Sequence, residues 1–299
     1  MITQKTLTVK HIFSILCLFL AAYSFAANVD YFPVPSGELV KHSYYALSYN
    51  EPNEQANWVY YVLTDSMVLK GGEERTNKFK VDKLVVTGSA KSSDYTKSGY
   101  DRGHLCPAAD MDFNPVAMDE SFMMSNISPQ EPDFNRGIWK ELETTVREWA
   151  KNKHQIFVAT GPIFNDIKGK IGEDEVTVPG YFYKIIYDPE PSPEMIAFVL
   201  PNAKSNRPLT DFAVSTDELE RLTGLDFFSQ LPDDVENNLE SSVVLAGWFT
   251  GYTKSETIAE SKSVEPAAKT ESNFEFYAIL ILILLIVILF ALIKGRKRK

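Results

Sequence analysis

An α+β domain, with a mixed, largely antiparallel sheet and flanking helices, is the fold class that the 299 residues predict. Three observations lead there. Short aromatic and β-branched runs recur through the middle of the chain. Only two segments carry the apolar period of a helix. Strands and helices do not alternate as a parallel βαβ sheet requires. No internal repeat appears, and one domain is expected.

In chain order, His42–Asn50 and Asn57–Thr64 are aromatic with partial alternation and read as strands. Lys83–Gly88, "KLVVTG", reads as a third. In Phe134–Lys151, the residues Ile138, Trp139, Leu142, Val146, Trp149 and Ala150 recur at three- and four-residue steps and give a helix one apolar face. His154–Gly161, Tyr181–Asp188 and Met195–Asn202 read as three further strands. In the last helix Ser215 and Thr216 offer caps, Glu218 or Leu219 opens it and Gly224 ends it.

The ends are different in kind. Lys5 and Lys10 precede the apolar run Ile12–Ala26, which closes on small residues and reads as a signal peptide over 1–26. Phe276–Ile293 is eighteen residues without a charge, enough to cross a bilayer, and the span is placed at 274–293. The basic tail 294–299 places the C-terminus in the cytoplasm and the body on the extracytoplasmic side, periplasmic or extracellular. Residues 253–273 are polar and aperiodic and read as a flexible tether, with a root-mean-square reach of roughly 25 Å. The body is then 27–252, held to the membrane by a single-pass anchor. With the leader removed it keeps one cysteine, Cys106, so it is no disulfide scaffold, and the thiol reads as small and buried. The formal charge of the chain is −10, and because both ends are basic the body is more acidic still. That argues against a broad basic surface for tight nucleic-acid binding and leaves room for a local basic cleft.

The chemistry concentrates around "SGYDRGHLCPAADM", Ser98–Met111. Arg102 two residues from His104 pushes the histidine toward its neutral form, which accepts a proton, and holds an anion itself. In a strand the two share one side, and Asp101 points away as a structural group. Downstream, Asn126, Asn135 and Glu143 stand out. Asn135 follows Pro132 and Asp133 at a helix start. It lies about 80° around and about 12 Å along an ideal helix from Glu143. Duller readings stand beside these: Asn135 as a plain helix cap, and Glu143 as an ordinary solvated residue with Glu141 its neighbouring rival. Arg136 and Arg147 read as surface charges able to meet phosphates, His42 and His154 as structural, and Glu173–Glu175 as a solvated loop. "NIS" at Asn126 is also a glycosylation sequon.

Together "DRGH", "NISPQ" and "NRGIWKELE" resemble the DNA/RNA non-specific endonuclease family, which includes the sugar-non-specific bacterial nucleases and endonuclease G and carries a ββα-metal site. The resemblance extends upstream through "YYALSYNEPNEQANWVYY" and downstream through "FVLPN" and "DELERLTGLDFFSQLPD". It implies that His104 is the general base, that Arg102 stabilises the transition-state phosphate, and that Asn135 is the single direct protein ligand of Mg²⁺. It implies that Glu143 holds water of the metal shell, that Asn126 is a supporting polar group, and that Arg75 meets phosphate with Arg136. Mn²⁺ is the alternative ion. The implied substrates are DNA and RNA, with 5′-phosphate and 3′-hydroxyl products. Two rivals share these residues: a tethered phosphodiesterase on a non-polymer substrate, and an inactive nucleic-acid-binding receptor.

Overall fold

The computed structural model describes residues 31–190 and 192–250. The expected leader 1–26, tether 253–273, span 274–293 and tail 294–299 all lie outside the described residues. Among the described residues, no helix is long and apolar enough to cross a membrane.

Among the described residues nine strands follow in chain order: β1 (Glu38–Lys41), β2 (Tyr45–Asn50), β3 (Gln55–Thr64), β4 (Asp101–His104), β5 (Ile127–Gln130), β6 (Gln155–Ile171), β7 (Val176–Asp188), β8 (Glu194–Pro201) and β9 (Ala213–Val214). Seven form one antiparallel sheet in the order β1-β2-β3-β6-β7-β8-β9, and β4 and β5 form a separate ribbon. Five helices accompany them: α1 (Asp65–Lys70), α2 (Pro115–Ser121), α3 (Lys140–Lys153), α4 (Thr216–Thr223) and α5 (Asp233–Glu240). The expected α+β class with a largely antiparallel sheet is the one found.

Successive strand residues face opposite ways, so the sheet supports two cores. Val59, Tyr61, Phe182, Ile186 and Phe198 pack on one face with Trp139, Leu142 and Val146 of the α3 region. Trp58, Tyr60, Tyr183, Ile185 and Ala197 pack on the other with Leu219 of α4 and the Phe227, Phe228 and Leu231 that follow it. All six apolar positions of the expected first helix are buried. Beyond α5 the chain returns to the first face. There the Trp248 carbonyl accepts the Trp149 indole N–H at 2.6 Å, and the two rings meet edge-on at 4.9 Å.

Two expectations need correction. Lys83–Gly88 is a run of turns, not a strand. The Asp82 N–H donates to Ser89 Oγ at 2.8 Å and the Leu84 N–H to Asp82 Oδ1 at 2.9 Å, so side chains take the backbone groups that a ladder would use. Gly88 turns the chain at φ +91°. The segment from Pro132 to Lys153 is not one continuous helix either. A single turn at Pro132–Phe134 is followed by a π-type turn, Asn135–Trp139, in which Gly137 breaks the helical dihedrals at φ −102°, ψ −114°; α3 then begins. The ideal-helix separation of Asn135 and Glu143 therefore does not apply. The helix expected after Ser215 keeps its cap and its end, Ser215 Oγ accepting the Glu218 N–H at 3.2 Å and Gly224 closing α4 at φ +68°, but it opens at Thr216, before the expected Glu218 or Leu219. His42 and His154 are structural, paired to Asp82 and Asp65, and Glu173–Glu175 lies at the β6–β7 turn.

Candidate active site

β3 and β6 are neighbours in the sheet, yet ninety residues separate them, 65–154. Arg75, Arg102, His104, Asn135 and Glu143 all lie in that excursion. The ribbon sets Arg102 opposite Pro129 and His104 opposite Ile127, so both side chains leave β4 on one side. Phe79 touches both: its ring lies 5.6 Å from the His104 ring and 5.6 Å from Arg102 Cζ. Gly103 stands between them because a Cβ there would sit 2.1 Å from Gln130 Oε1.

His104 is 7% exposed and meets Phe122 edge-on at 4.9 Å. Arg75 lies over the Phe122 ring, its Cζ 5.0 Å from the centroid. Burial first, and the Arg75 charge second, push the imidazole pKa down to about 3, so the ring is neutral at ordinary pH. His104 Nε2 is buried with no hydrogen-bond partner. Arg102 is pinned by its Nη2, which donates to the Ser92 carbonyl, and by the rings of Phe79 and Tyr95. Its Nε is likewise buried and unpartnered. Two nitrogens on one side of a strand thus lack partners within the protein.

Asn135 donates from Nδ2 to Asp101 Oδ2 at 2.9 Å, which turns its Oδ1 away from that carboxylate. Arg136 grips the same carboxylate with Nε at 2.8 Å and Nη2 at 2.6 Å. Burial resists ionisation of Asp101, and Arg136 and Asn135 outweigh it, holding the carboxyl below its usual range. Glu143 is half-buried in the first turn of α3, where burial pushes its carboxyl up against the pull of Lys184 and Arg147.

The family profile described as DNA/RNA non-specific endonuclease matches residues 26–234. The chain belongs to the DNA/RNA non-specific endonuclease family. A nuclease of Nostoc sp. is 36% identical over 222 residues, covering 70% of this chain and 80% of that protein. The mitochondrial nuclease EXOG of Homo sapiens is 33% identical over 267 residues, covering 82% and 73%. A crystal structure described as the EndoG/EndoGI complex superimposes with a TM-score of 0.62 at 33% identity, covering 66% of this chain and 87% of that one. The family is one of nucleases, phosphodiester hydrolases, so this chain is a nuclease by descent.

Within this endonuclease fold, several residues differ in role from the sequence reading. Asn126, expected near the substrate, is fully buried. Its Oδ1 accepts the Cys106 N–H at 2.8 Å, and its Nδ2 donates to the carbonyls of Cys106 and Ser121, both at 2.9 Å. It ties the segment after β4 to the end of α2, and neither a substrate nor a glycan reaches it. Arg136, expected on phosphate, spends two of its nitrogens on Asp101. Arg147, expected at the surface, has a side chain only 17% exposed and pairs with Asp110 at 2.8 Å. Asp101 is structural as expected, but it acts on Asn135.

Two residues went unnamed in the sequence reading. Asp110 is buried and accepts from both Arg147 Nη1 and the Tyr61 hydroxyl at 2.8 Å. Lys184 of β7 is fully buried, with its Nζ 4.9 Å from the Trp139 ring centroid and no hydrogen-bond partner. Burial lowers its pKa, and Glu143 and Asp110 pull it back. The signal was a lone lysine in the apolar run "YFYKIIY".

Asn135 and Glu143 offer oxygen donors only, one of them a neutral amide oriented by Asp101. That donor set fits a hard ion such as Mg²⁺, which keeps much of its water.

Proposed function

We propose that the chain is a Mg²⁺-dependent endonuclease that hydrolyses phosphodiester bonds of DNA and RNA on the extracytoplasmic side of a membrane, to which 274–293 anchors it. The observation that carries the site assignment is the pair of buried, unpartnered nitrogens, His104 Nε2 and Arg102 Nε, on one side of β4. An unsatisfied buried donor or acceptor is costly, and a phosphate with its attacking water satisfies both.

His104 takes the proton of a water as the water oxygen bonds to phosphorus and the bond to the 3′ oxygen breaks; that oxygen then takes a proton from solvent. The low proton affinity of the free imidazole rises when an anion stands beside it, because opposite charge favours the imidazolium. Arg102, already fixed by Ser92 and two aromatic rings, meets the phosphate without a large loss of side-chain freedom. Arg75, over the Phe122 ring, adds charge beside His104. When bound, Mg²⁺ supplies neutralisation of the phosphate and a source of acidic water. Asn135 would hold it directly and Glu143 through its water. Contacts to phosphate carry no sequence information, so little base preference is expected. The acidic chain makes binding weak and salt-sensitive.

The full chain, and its His104→Ala form, incubated with supercoiled plasmid and with RNA in Mg²⁺ or in EDTA, test this reading. The wild type nicks both polymers only with the metal, and the variant loses about 10²–10⁴ of the rate. Intact polymers from folded wild type in every lane overturn it in favour of a receptor or of a phosphodiesterase acting on small diesters.

A further inference from the structure

α4 and α5 lie against the sheet face opposite the candidate active site. Their apolar sides enter the core through Leu219, Phe227, Phe228 and Leu231. What stands between them is acidic. Asp217 and Glu220 are three apart on α4, and Glu236 and Glu240 are four apart on α5, so each pair shares a helix side. Asp217, Glu220 and Glu240 each bring a carboxylate oxygen to within 4.8 Å of the others. Glu240 is 7% exposed, and its Oε1 is buried without a hydrogen-bond partner. The Glu236 Oε1 is buried and unpartnered too. The cation nearest in sequence, Arg221, is engaged by Glu218 at 2.6 and 2.8 Å. The charges acting on Glu240 are all carboxylates, from Glu220, Glu236, Asp217 and Asp226, and with burial they hold it at about 8.

A buried carboxylate oxygen facing other carboxylates is unfavourable unless the group takes up a proton or a cation fills the space between them. Two oxygens bound to one Ca²⁺ at 2.3–2.6 Å stand at most about 5 Å apart, and the three carboxylate oxygens here lie within 4.8 Å of one another. The donors are oxygens alone, carry up to three negative charges and come from two separate helices. That suits the flexible shell of Ca²⁺ and gives zinc none of the nitrogen or sulfur it favours. We infer that Asp217, Glu220 and Glu240 form a calcium site that clamps α4 to α5, distinct from the candidate active site and independent of its assignment.

The test is calcium binding by the full chain in detergent, stripped with EDTA, read by calorimetric titration and by Tm. Asn135→Ala removes the proposed catalytic-ion ligand, so that any remaining ion is the one inferred here. In wild type and in Asn135→Ala, Ca²⁺ at about a hundredfold over its Kd raises Tm by about 5 °C. Combining Asn135→Ala with Glu240→Gln or with Asp217→Asn weakens that binding at least about tenfold. Asp217 is exposed, so its variant carries the test if Glu240→Gln does not fold. Unchanged affinity in both combinations overturns the site. So does the absence of any shift in Asn135→Ala at about 10 mM Ca²⁺, a level above the Kd typical of extracellular calcium modules.

Discussion

On one face of the sheet Glu143 and Asp110 are met by Lys184 and Arg147. On the other, Asp217, Glu220 and Glu240 face one another, with the Phe227 N–H donating to Glu220 Oε1 at 2.8 Å. The first group is balanced by the chain itself: two acids, two bases, and a tyrosine hydroxyl on Asp110. The second is left for something from outside. The difference separates a polar assembly built to stand ready before its ligand arrives from one whose strength depends on the medium.

The largest effect comes from breaking the balanced side. Lys184→Met removes the buried cation that faces Glu143, while Asp110 keeps Arg147 and the Tyr61 hydroxyl, and loss of one partner from a buried charge group costs about 3–5 kcal/mol. Urea unfolding measures it, and a loss below about 1 kcal/mol would mean that Lys184 does not compensate these acids. Next, Asp101→Ala frees the Asn135 amide to rotate. Plasmid nicking at limiting Mg²⁺ then falls about 10–100-fold while Tm changes little; an unchanged rate would show that Asn135 needs no help. On the unbalanced side the sign reverses. In EDTA above about pH 8, where Glu240 is ionised, Glu240→Gln removes repulsion and raises Tm by about 2–4 °C, and a fall instead would erase the contrast.

The smallest effect is the pH slope. Burial and neighbouring acids hold Glu220 at about 7 and Glu240 at about 8, above the ordinary 4.5. The folded state therefore keeps protons that the unfolded chain gives up. The stability they confer is fully present below about pH 4.5 and is lost as pH rises through 7 and 8. Urea midpoints in EDTA between pH 5 and 8 should fall more steeply for wild type than for Glu240→Gln. Parallel lines would place these carboxyls in water.

The candidate active site was legible in part because its residues cluster in two short motifs: Arg102 and His104 in "DRGH", Asn135 and Glu143 in "NRGIWKELE". Asp110 and Lys184 were not, because their partners lie 37 and 41 residues away and only tertiary packing joins them. Most strands and both long amphipathic patterns could be read from periodicity. Lys83–Gly88 could not, since its valines have strand propensity while Asp82 and Ser89 capture the backbone. The kink at Gly137 was hidden because burial of Ile138, Trp139 and Leu142 satisfies a helical period on either side of it. Short helices such as α1, α2 and α5 offer too few turns for a period to show.

The junction of Trp248 with Trp149 sets where mechanical load enters this fold. A pull on the chain at Thr250 meets Phe249 and then Trp248, both packed edge-on against Trp149 near the C-terminal end of α3. Glu143 sits six residues back along the same rod, about 9 Å away. Tension applied at Thr250 would thus be shared between the helix that carries the carboxylate and, through Phe198, strand β8 of the sheet.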